Sequence, residues 1–267
     1  MRLALVIGNS RLHWAVLSER RVYATWDTEP LDRGAIAPLC SRPDPLNSRL
    51  TLAPSQELEQ ITLTPPLIIV SVVPQQTAFW QRHISCDVIT LEQIPLRGLY
   101  PTMGIDRAIA ALGAGETYGF PVLVIDGGTA LTLTGIDGDR RVIGGAILPG
   151  LRLQGRSLNQ HTAALPEIDF ASPSSSPASA IPRWAVTTPD AIRSGIFYTI
   201  LSGIRDFVED WRVTHVDSRV VLTGGDGEFL YRHLGDRYPQ MKPLMSFEPH
   251  LVFKGIQTLL TKKCPEP

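Results

Sequence analysis

A chain of 267 residues is long for one ordinary domain and fits two of about 120 to 150 residues each. With 43% apolar and 19% charged residues and a mean hydropathy of +0.04, it reads as a folded globule, which excludes a disordered chain. Its 25 basic residues against 26 acidic ones leave a net charge of -1, so no global field draws it to a polyanion and no nucleic-acid partner is expected.

Leu3 to Ile7 is a continuous apolar run ending at Gly8-Asn9-Ser10. It is too short for a signal-peptide core or a membrane span, so neither targeting nor a membrane anchor is expected. Leu12 to Leu17 and Arg21 to Trp26 are two further strand-like runs parted by Ser18-Glu19-Arg20, and the three predict an antiparallel meander. A Pro-rich polar connector from Pro38 to Pro66 leads to Leu67 to Val73, which has the β-branched bias of a buried parallel strand, and then to a second such run over Cys86 to Leu91. Ile105, Ile109 and Leu112 share one face of a helix predicted over Ile105 to Tyr118.

The opening order then returns. Val122 to Ile125, a turn at Asp126-Gly127-Gly128-Thr129, Leu131 to Thr134, a turn at Asp137-Gly138-Asp139 and Val142-Ile143 predict a second meander. An ungapped overlay at an offset of 120 residues pairs Leu3 with Leu123, Gly8 with Gly128 and Arg20-Arg21-Val22 with Arg140-Arg141-Val142; Leu5 then faces Ile125, and Val16 faces Ile136. A duplicated unit is therefore expected, with domains over 1–118 and 119–267. The Ser- and Pro-rich stretch Ala171 to Pro189 predicts a loop or lid. After it come an amphipathic helix from Pro189 to about Trp211, a buried strand Arg219 to Leu222, a turn at Gly224-Gly225-Asp226-Gly227 and another helix.

A strand that ends in a Gly turn and returns as a hairpin aims several backbone N–H groups into one concavity, which suits a phosphate. Two such turns in matching halves and a third at Gly224-Gly225 point to a nucleotide gripped by two domains. Neither a Gly-x-x-x-x-Gly-Lys-Ser/Thr loop nor a Gly-x-Gly-x-x-Gly after a strand occurs, which sets aside P-loop and dinucleotide folds. Phosphoryl transfer needs a carboxylate to deprotonate the acceptor and cations for the developing charge, and Asp106 beside Arg107 at a helix start supplies both. Asp126 closes an otherwise apolar strand, where a carboxylate is costly unless it meets a cation or donors, so it is the candidate metal ligand. The three cysteines, Cys40, Cys86 and Cys264, are widely spaced without a Cys-x-x-Cys pair, which predicts a reducing, cytoplasmic setting. The six histidines show no ligand spacing.

These motifs resemble the type III pantothenate kinases, of the superfamily that joins acetate and sugar kinases, heat-shock chaperones and actin. The resemblance runs through Gly8-Asn9-Ser10-Arg11, Gly104-Ile105-Asp106-Arg107, Asp126-Gly127-Gly128-Thr129-Ala130 with Thr132, Gly144 to Gly150, Thr188 to Gly195, Leu222-Thr223-Gly224-Gly225 and Leu251 to Gly255. It implies an α/β chain of two duplicated ribonuclease-H-like domains, each a mixed sheet with flanking helices. It implies Asp106 as general base on the primary hydroxyl of pantothenate, and a substrate pocket of Tyr100, Gly104, Ile105, Asp106, Arg107 and Thr188. Val6, Ile7, Gly8, Asn9, Ser10, Arg11, Leu12 and His13, with Thr129, Gly224 and Gly225, would bind ATP, and Asp126 a monovalent cation, K+ or NH4+. Mg2+ would accompany ATP, and the partner would be a second copy in a homodimer. One position departs: the family carries Asp two residues before the first Gly, where this chain has Val6. That departure motivates an alternative, a non-catalytic nucleotide-binding relative acting as a regulator; a third reading is a sugar or acetate kinase of the same superfamily.

Overall fold

A computed structural model of the chain describes residues 1–29, 66–168, 170 and 181–263. The expected connector lies outside these residues except for Pro66, as do Cys40, Cys264 and residues 171–180 of the expected Ser/Pro loop. The chain forms two compact units, one of Met1–Gly113 with Val252–Pro267 and one of Ala114–Leu251.

In the first unit, β1 (Arg2–Ile7), β2 (Leu12–Leu17) and β3 (Val22–Thr28) form the expected meander. β4 (Leu67–Ser71) then adds parallel to β1, and β5 (Cys86–Val88) parallel to β4, in the order β3-β2-β1-β4-β5. Helix α1 (Pro74–His83) joins the two parallel strands. One face of the sheet packs Leu3, Leu5 and Ile7 of β1 against Trp14, Trp26 and Trp80, with the Trp14 and Trp26 rings stacked 6.1 Å apart and Trp80 edge-on to Trp14 at 5.7 Å. Sidedness follows from the period of two along a strand, so Val6, His13 and Asp27 sit on the opposite face. Helix α2 (Ile105–Tyr118) begins in this unit, and Gly255 of the last helix, α6 (Leu251–Lys263), lies so close to α2 that a Cβ there would collide with the Ile109 carbonyl oxygen.

The second unit repeats the plan with β6 (Val122–Gly127), β7 (Ala130–Ile136) and β8 (Val142–Pro149) antiparallel, then β9 (Arg219–Thr223) and β10 (Met245–Phe247) parallel, in the order β10-β9-β6-β7-β8. Between β8 and β9 run α3 (Leu151–Gln160) and the 27-residue α4 (Thr188–Thr214), while α5 (Gly227–Arg237) follows the Gly turn. Ile192, Ile196 and Ile200 of α4 press on Leu123, Ile125 and Leu133 of the sheet. The strands expected over Leu67 to Val73 and Cys86 to Leu91 are shorter, because Ser71 hydrogen-bonds locally around Val73 and a 3-10 turn forms at Leu91–Gln93.

Register corrects one part of the overlay. Ile7 pairs with Leu12 but Gly127 with Leu131, so the second hairpin turn is one residue shorter. The next turn is one residue longer, running from Ile136 to Val142 where the first runs from Leu17 to Val22. Val16 therefore corresponds to Gly135 rather than Ile136, and Leu17 to Ile136. The added residue is accommodated by Arg140 at φ 61°, whose guanidinium lies 5.0 Å from the Phe120 ring and pairs with Glu116.

One buried group of α5 carries a pH prediction. His233 is 5% exposed, meets Phe197 and Phe229 edge-on, and leaves Nδ1 without a hydrogen-bond partner. Burial disfavours its charged form and holds its pKa below the ordinary 6.5. A group that binds its proton more weakly when folded stabilises the fold above its unfolded pKa and loses that contribution as pH falls below about 6.5. His233→Leu is expected to flatten the dependence of the thermal midpoint on pH between about 6.5 and 5, while leaving the carboxylate-driven loss at lower pH.

Candidate active site

The first unit presents two sets of the expected residues. In the hairpin, Gly8 donates its N–H to the Arg11 carbonyl at 3.1 Å, a closed turn that holds Asn9 and Ser10 at its tip. Val6 and Ile7 end β1 and are buried, and Leu12 and His13 begin β2. The side chains of Arg11 and His13 point to Asp27 on β3: His13 Nδ1 lies 2.7 Å from one carboxylate oxygen and Arg11 3.6 Å from the other. These two side chains hold the Asp27 carboxyl below its ordinary range, His13 contributing most through its hydrogen bond.

The second set gathers at the start of α2. Gly104 leads directly into the helix, and a Cβ there would lie 2.6 Å from Asp106 Oδ1. That oxygen accepts the Arg107 backbone N–H at 2.8 Å, which fixes the carboxylate against the first turn. Arg107 is 8% exposed, and its guanidinium donates to the Tyr100 hydroxyl at 3.1 Å. Tyr100, Gly104, Ile105, Asp106 and Arg107 thus lie together at the head of α2, and a buried guanidinium with a half-buried carboxylate on the neighbouring residue could hold a polar hydroxylated molecule.

In the second unit, three stretches close on the turn from Asp126 to Thr129. Gly224 sits at φ +85°, and a Cβ there would strike Asp126 Oδ1 and come within 2.8 Å of the Gly127 carbonyl. Gly150 donates its N–H to the Thr129 carbonyl at 2.9 Å and packs against the Gly128 carbonyl, and Asp226 donates its backbone N–H to Gly127 at 2.8 Å. A carboxylate walled by bare peptide groups offers the hard oxygen donors that an alkali or ammonium ion takes, so these residues fit a monovalent cation. The end of β1 does not fit a directly held divalent ion, since Val6 brings no ligand atom, and among the described residues no three of His, Cys, Asp and Glu gather as a metal cluster.

Thr188 opens α4 behind its cap residue Thr187, whose hydroxyl accepts the Asp190 N–H at 3.3 Å. It lines a cavity of about 610 Å³ with Gln154 and Leu158 of α3 and Thr187, Ile192 and Ile196. Two carboxylates escaped the sequence reading. Asp226 is 6% exposed and lies 3.7 Å from Arg152 on α3, a pairing across 74 positions that no local pattern announces. The strand expected to end at Trp26 runs on to Thr28, and continuing the alternation by one residue sets Asp27 opposite His13 near the start of β2.

A family model described as type III pantothenate kinase matches residues 2–210. A type III pantothenate kinase of Nostoc sp. is 45% identical over 268 aligned positions, covering 97% of this chain and 94% of the relative. Among solved structures, a Campylobacter jejuni protein assigned to the Baf family of transcriptional activators aligns over 98% of both chains with a TM-score of 0.60 and 17% identity. A Sinorhizobium meliloti protein assigned as a 2-dehydro-3-deoxygalactonokinase aligns over 100% of both at 0.53 and 16%. At these identities the two structures speak for the fold alone, that of duplicated ribonuclease-H-like domains.

Proposed function

The chain belongs to the type III pantothenate kinase family, and from that premise we infer how its residues phosphorylate pantothenate with ATP, the first step of coenzyme A biosynthesis. The observation that carries the residue roles is the Tyr100, Asp106 and Arg107 group at the head of α2. Asp106 accepts the proton of the primary hydroxyl of pantothenate as that oxygen bonds to the γ-phosphorus of ATP and the bond from phosphorus to the bridging oxygen of ADP breaks. Arg107, steadied by Tyr100, holds the polar end of the substrate, with Gly104 and Ile105 shaping the wall and Thr188 adding a hydroxyl.

Residues 6 to 13, Thr129, Gly224 and Gly225 hold ATP, chiefly through backbone N–H groups at the Gly turns. Kinases of this family use a divalent metal, which arrives here as Mg2+ on ATP, the counterion of a substrate. Asp126 would hold a monovalent cation, K+ or NH4+, which would supply fixed positive charge for phosphoryl transfer. A cytoplasmic homodimer completes the reading. Ile143 and Ile147, at 54% and 65% exposure on the last strand of their sheet, support a second copy as partner. Among the described residues no helix is long and apolar enough to cross a membrane.

The test is release of ADP that depends on pantothenate, followed with ATP and Mg2+ in sodium buffer and again with added KCl or NH4Cl. Turnover is expected in the presence of pantothenate and to rise by at least about tenfold with the larger cations, the scale on which ligand environments act. Asp126→Asn is expected to remove the rise. Turnover indifferent to K+ and NH4+ in the unaltered protein would overturn the cation assignment, and absence of any pantothenate-dependent ADP would overturn the substrate assignment.

A further inference from the structure

Directly opposed residues of neighbouring strands line one face of a sheet in a row. In the second unit such a row reads Asp126, Thr132, Ile147 across β6, β7 and β8. The matching row of the first unit reads Val6, His13, Asp27 across β1, β2 and β3. The carboxylate that ends β6 therefore has its counterpart at the other end of the row, on β3, with an imidazole in the middle.

The geometry points to Asp27 as a positioning residue that holds His13 and Arg11 in place to bind the phosphates of ATP. The inference rests on the reading that residues 6 to 13 hold those phosphates. Asp27 divides its two oxygens, Oδ1 to His13 Nδ1 at 2.7 Å and Oδ2 to Arg11 at 3.6 Å. Because its carboxyl is held ionised it is an acceptor only, so His13 Nδ1 carries the hydrogen and the ring's orientation is fixed. With that nitrogen occupied, Nε2 is the one left for a phosphate oxygen; in the doubly protonated ring it donates, and Asp27 offsets the charge. Arg11 gains a defined direction from the same carboxylate, which matters for a side chain that otherwise loses several rotamers on binding.

Carboxylate, imidazole and guanidinium thus act together on the face where Val6 replaces the family's Asp. An Asp at the end of β1 would repel phosphate and needs a metal between; Val6 brings no charge, and the Asp27-braced pair supplies direct positive contact. All three side chains are roughly half exposed, so the effect is that of a partly screened charged contact rather than a buried one.

Asp27→Asn, Asp27→Glu and His13→Ala are the informative variants. Binding of ATP and of adenosine is measured by calorimetry without Mg2+, and KM for ATP, KM for pantothenate and kcat are measured with it. Asp27→Asn is expected to weaken ATP about tenfold and raise its KM by a similar factor, with adenosine affinity, KM for pantothenate and thermal midpoint essentially unchanged. Asp27→Glu should restore much of the loss. ATP affinity unmoved in Asp27→Asn while His13→Ala weakens it would overturn the role of Asp27 alone. Unmoved ATP affinity in both would overturn the phosphate reading of the hairpin itself. Equal loss for ATP and adenosine would mean a general distortion and would likewise overturn the inference. Should Asp27→Asn lower the midpoint, rescue by Asp27→Glu of ATP affinity beyond that of adenosine decides in its favour, and no rescue decides against it.

Discussion

Asp106→Asn is expected to lower pantothenate-dependent turnover by at least about 10²-fold while ATP binds almost as before. The substitution is nearly isosteric, and its amide oxygen can still accept the Arg107 backbone N–H that Asp106 Oδ1 accepts at 2.8 Å, so the first turn of α2 stays formed. What vanishes is the capacity to take the hydroxyl proton as the new P–O bond forms. Asp106→Ala serves as the second arm, because it loses the turn contact too and should add a stability cost of about 1 kcal/mol, the usual net contribution of one hydrogen bond. Turnover of Asp106→Asn within about threefold of the unaltered protein would show that another group, or solvent, receives the proton. KM for ATP is the internal control, since the substitution removes a proton acceptor for the substrate hydroxyl and changes no group assigned to ATP.

Gly224→Ala carries the second large effect, and it acts on stability and activity together. At φ +85° an L side chain costs about 1 to 2 kcal/mol on backbone grounds alone. The new methyl would also meet Asp126 Oδ1 and the Gly127 peptide, which is held at the end of β6 by its pairing with Leu131 and by the Asp226 N–H that its carbonyl accepts. A fall in thermal midpoint of several degrees is expected, at about 2 to 4 °C per kcal/mol for a chain of this size. Displacing the Asp126 carboxylate should also lower the response to K+ or NH4+ by about 10- to 100-fold in half-saturating concentration. Gly225→Ala is the matched control, because a Cβ at Gly225 meets nothing within 4 Å, and both quantities should stay near their starting values. If the two alanines behave alike, close approach at Gly224 is not what the turn is for.

Both predictions grow from motifs visible in the sequence, and the reason is that Gly turns and terminal carboxylates are local. Leu3 to Ile7 and Val122 to Ile125 announce themselves as strands because a continuous apolar run of that length has few other uses, and the repeated order of runs and turns gave away the duplicated fold. Register was hidden, because a turn shortened by one residue and the next lengthened by one cancel in the spacing of the flanking strands. Helix α1 was hidden for a different reason: Pro74–His83 buries Trp80 alone, so no stripe of apolar residues marks it. Helix α3 has Leu151, Gly155 and Leu158 on its inner face, but Gly155 leaves the apolar stripe without a side chain at its middle position. At the site, the pair of Arg152 with Asp226 and the bridge from Asp27 to His13 and Arg11 join residues that only tertiary folding makes neighbours. Asp106 with Arg107 was legible because one helical turn contains both.

The stacked indoles of the first unit also give the hairpin an optical handle. Trp14 follows His13 immediately on β2 and faces the other side of the sheet, against Trp26, which precedes Asp27 on β3. The two strands that carry His13 and Asp27 therefore carry a stacked pair of indole chromophores on their reverse face. Near-ultraviolet circular dichroism of that pair depends on the angle between the rings, 6° here, and so reads the twist of the β2–β3 ribbon directly. Titration with ATP is expected to change this signal if the His13 and Asp27 face engages nucleotide, without any added label.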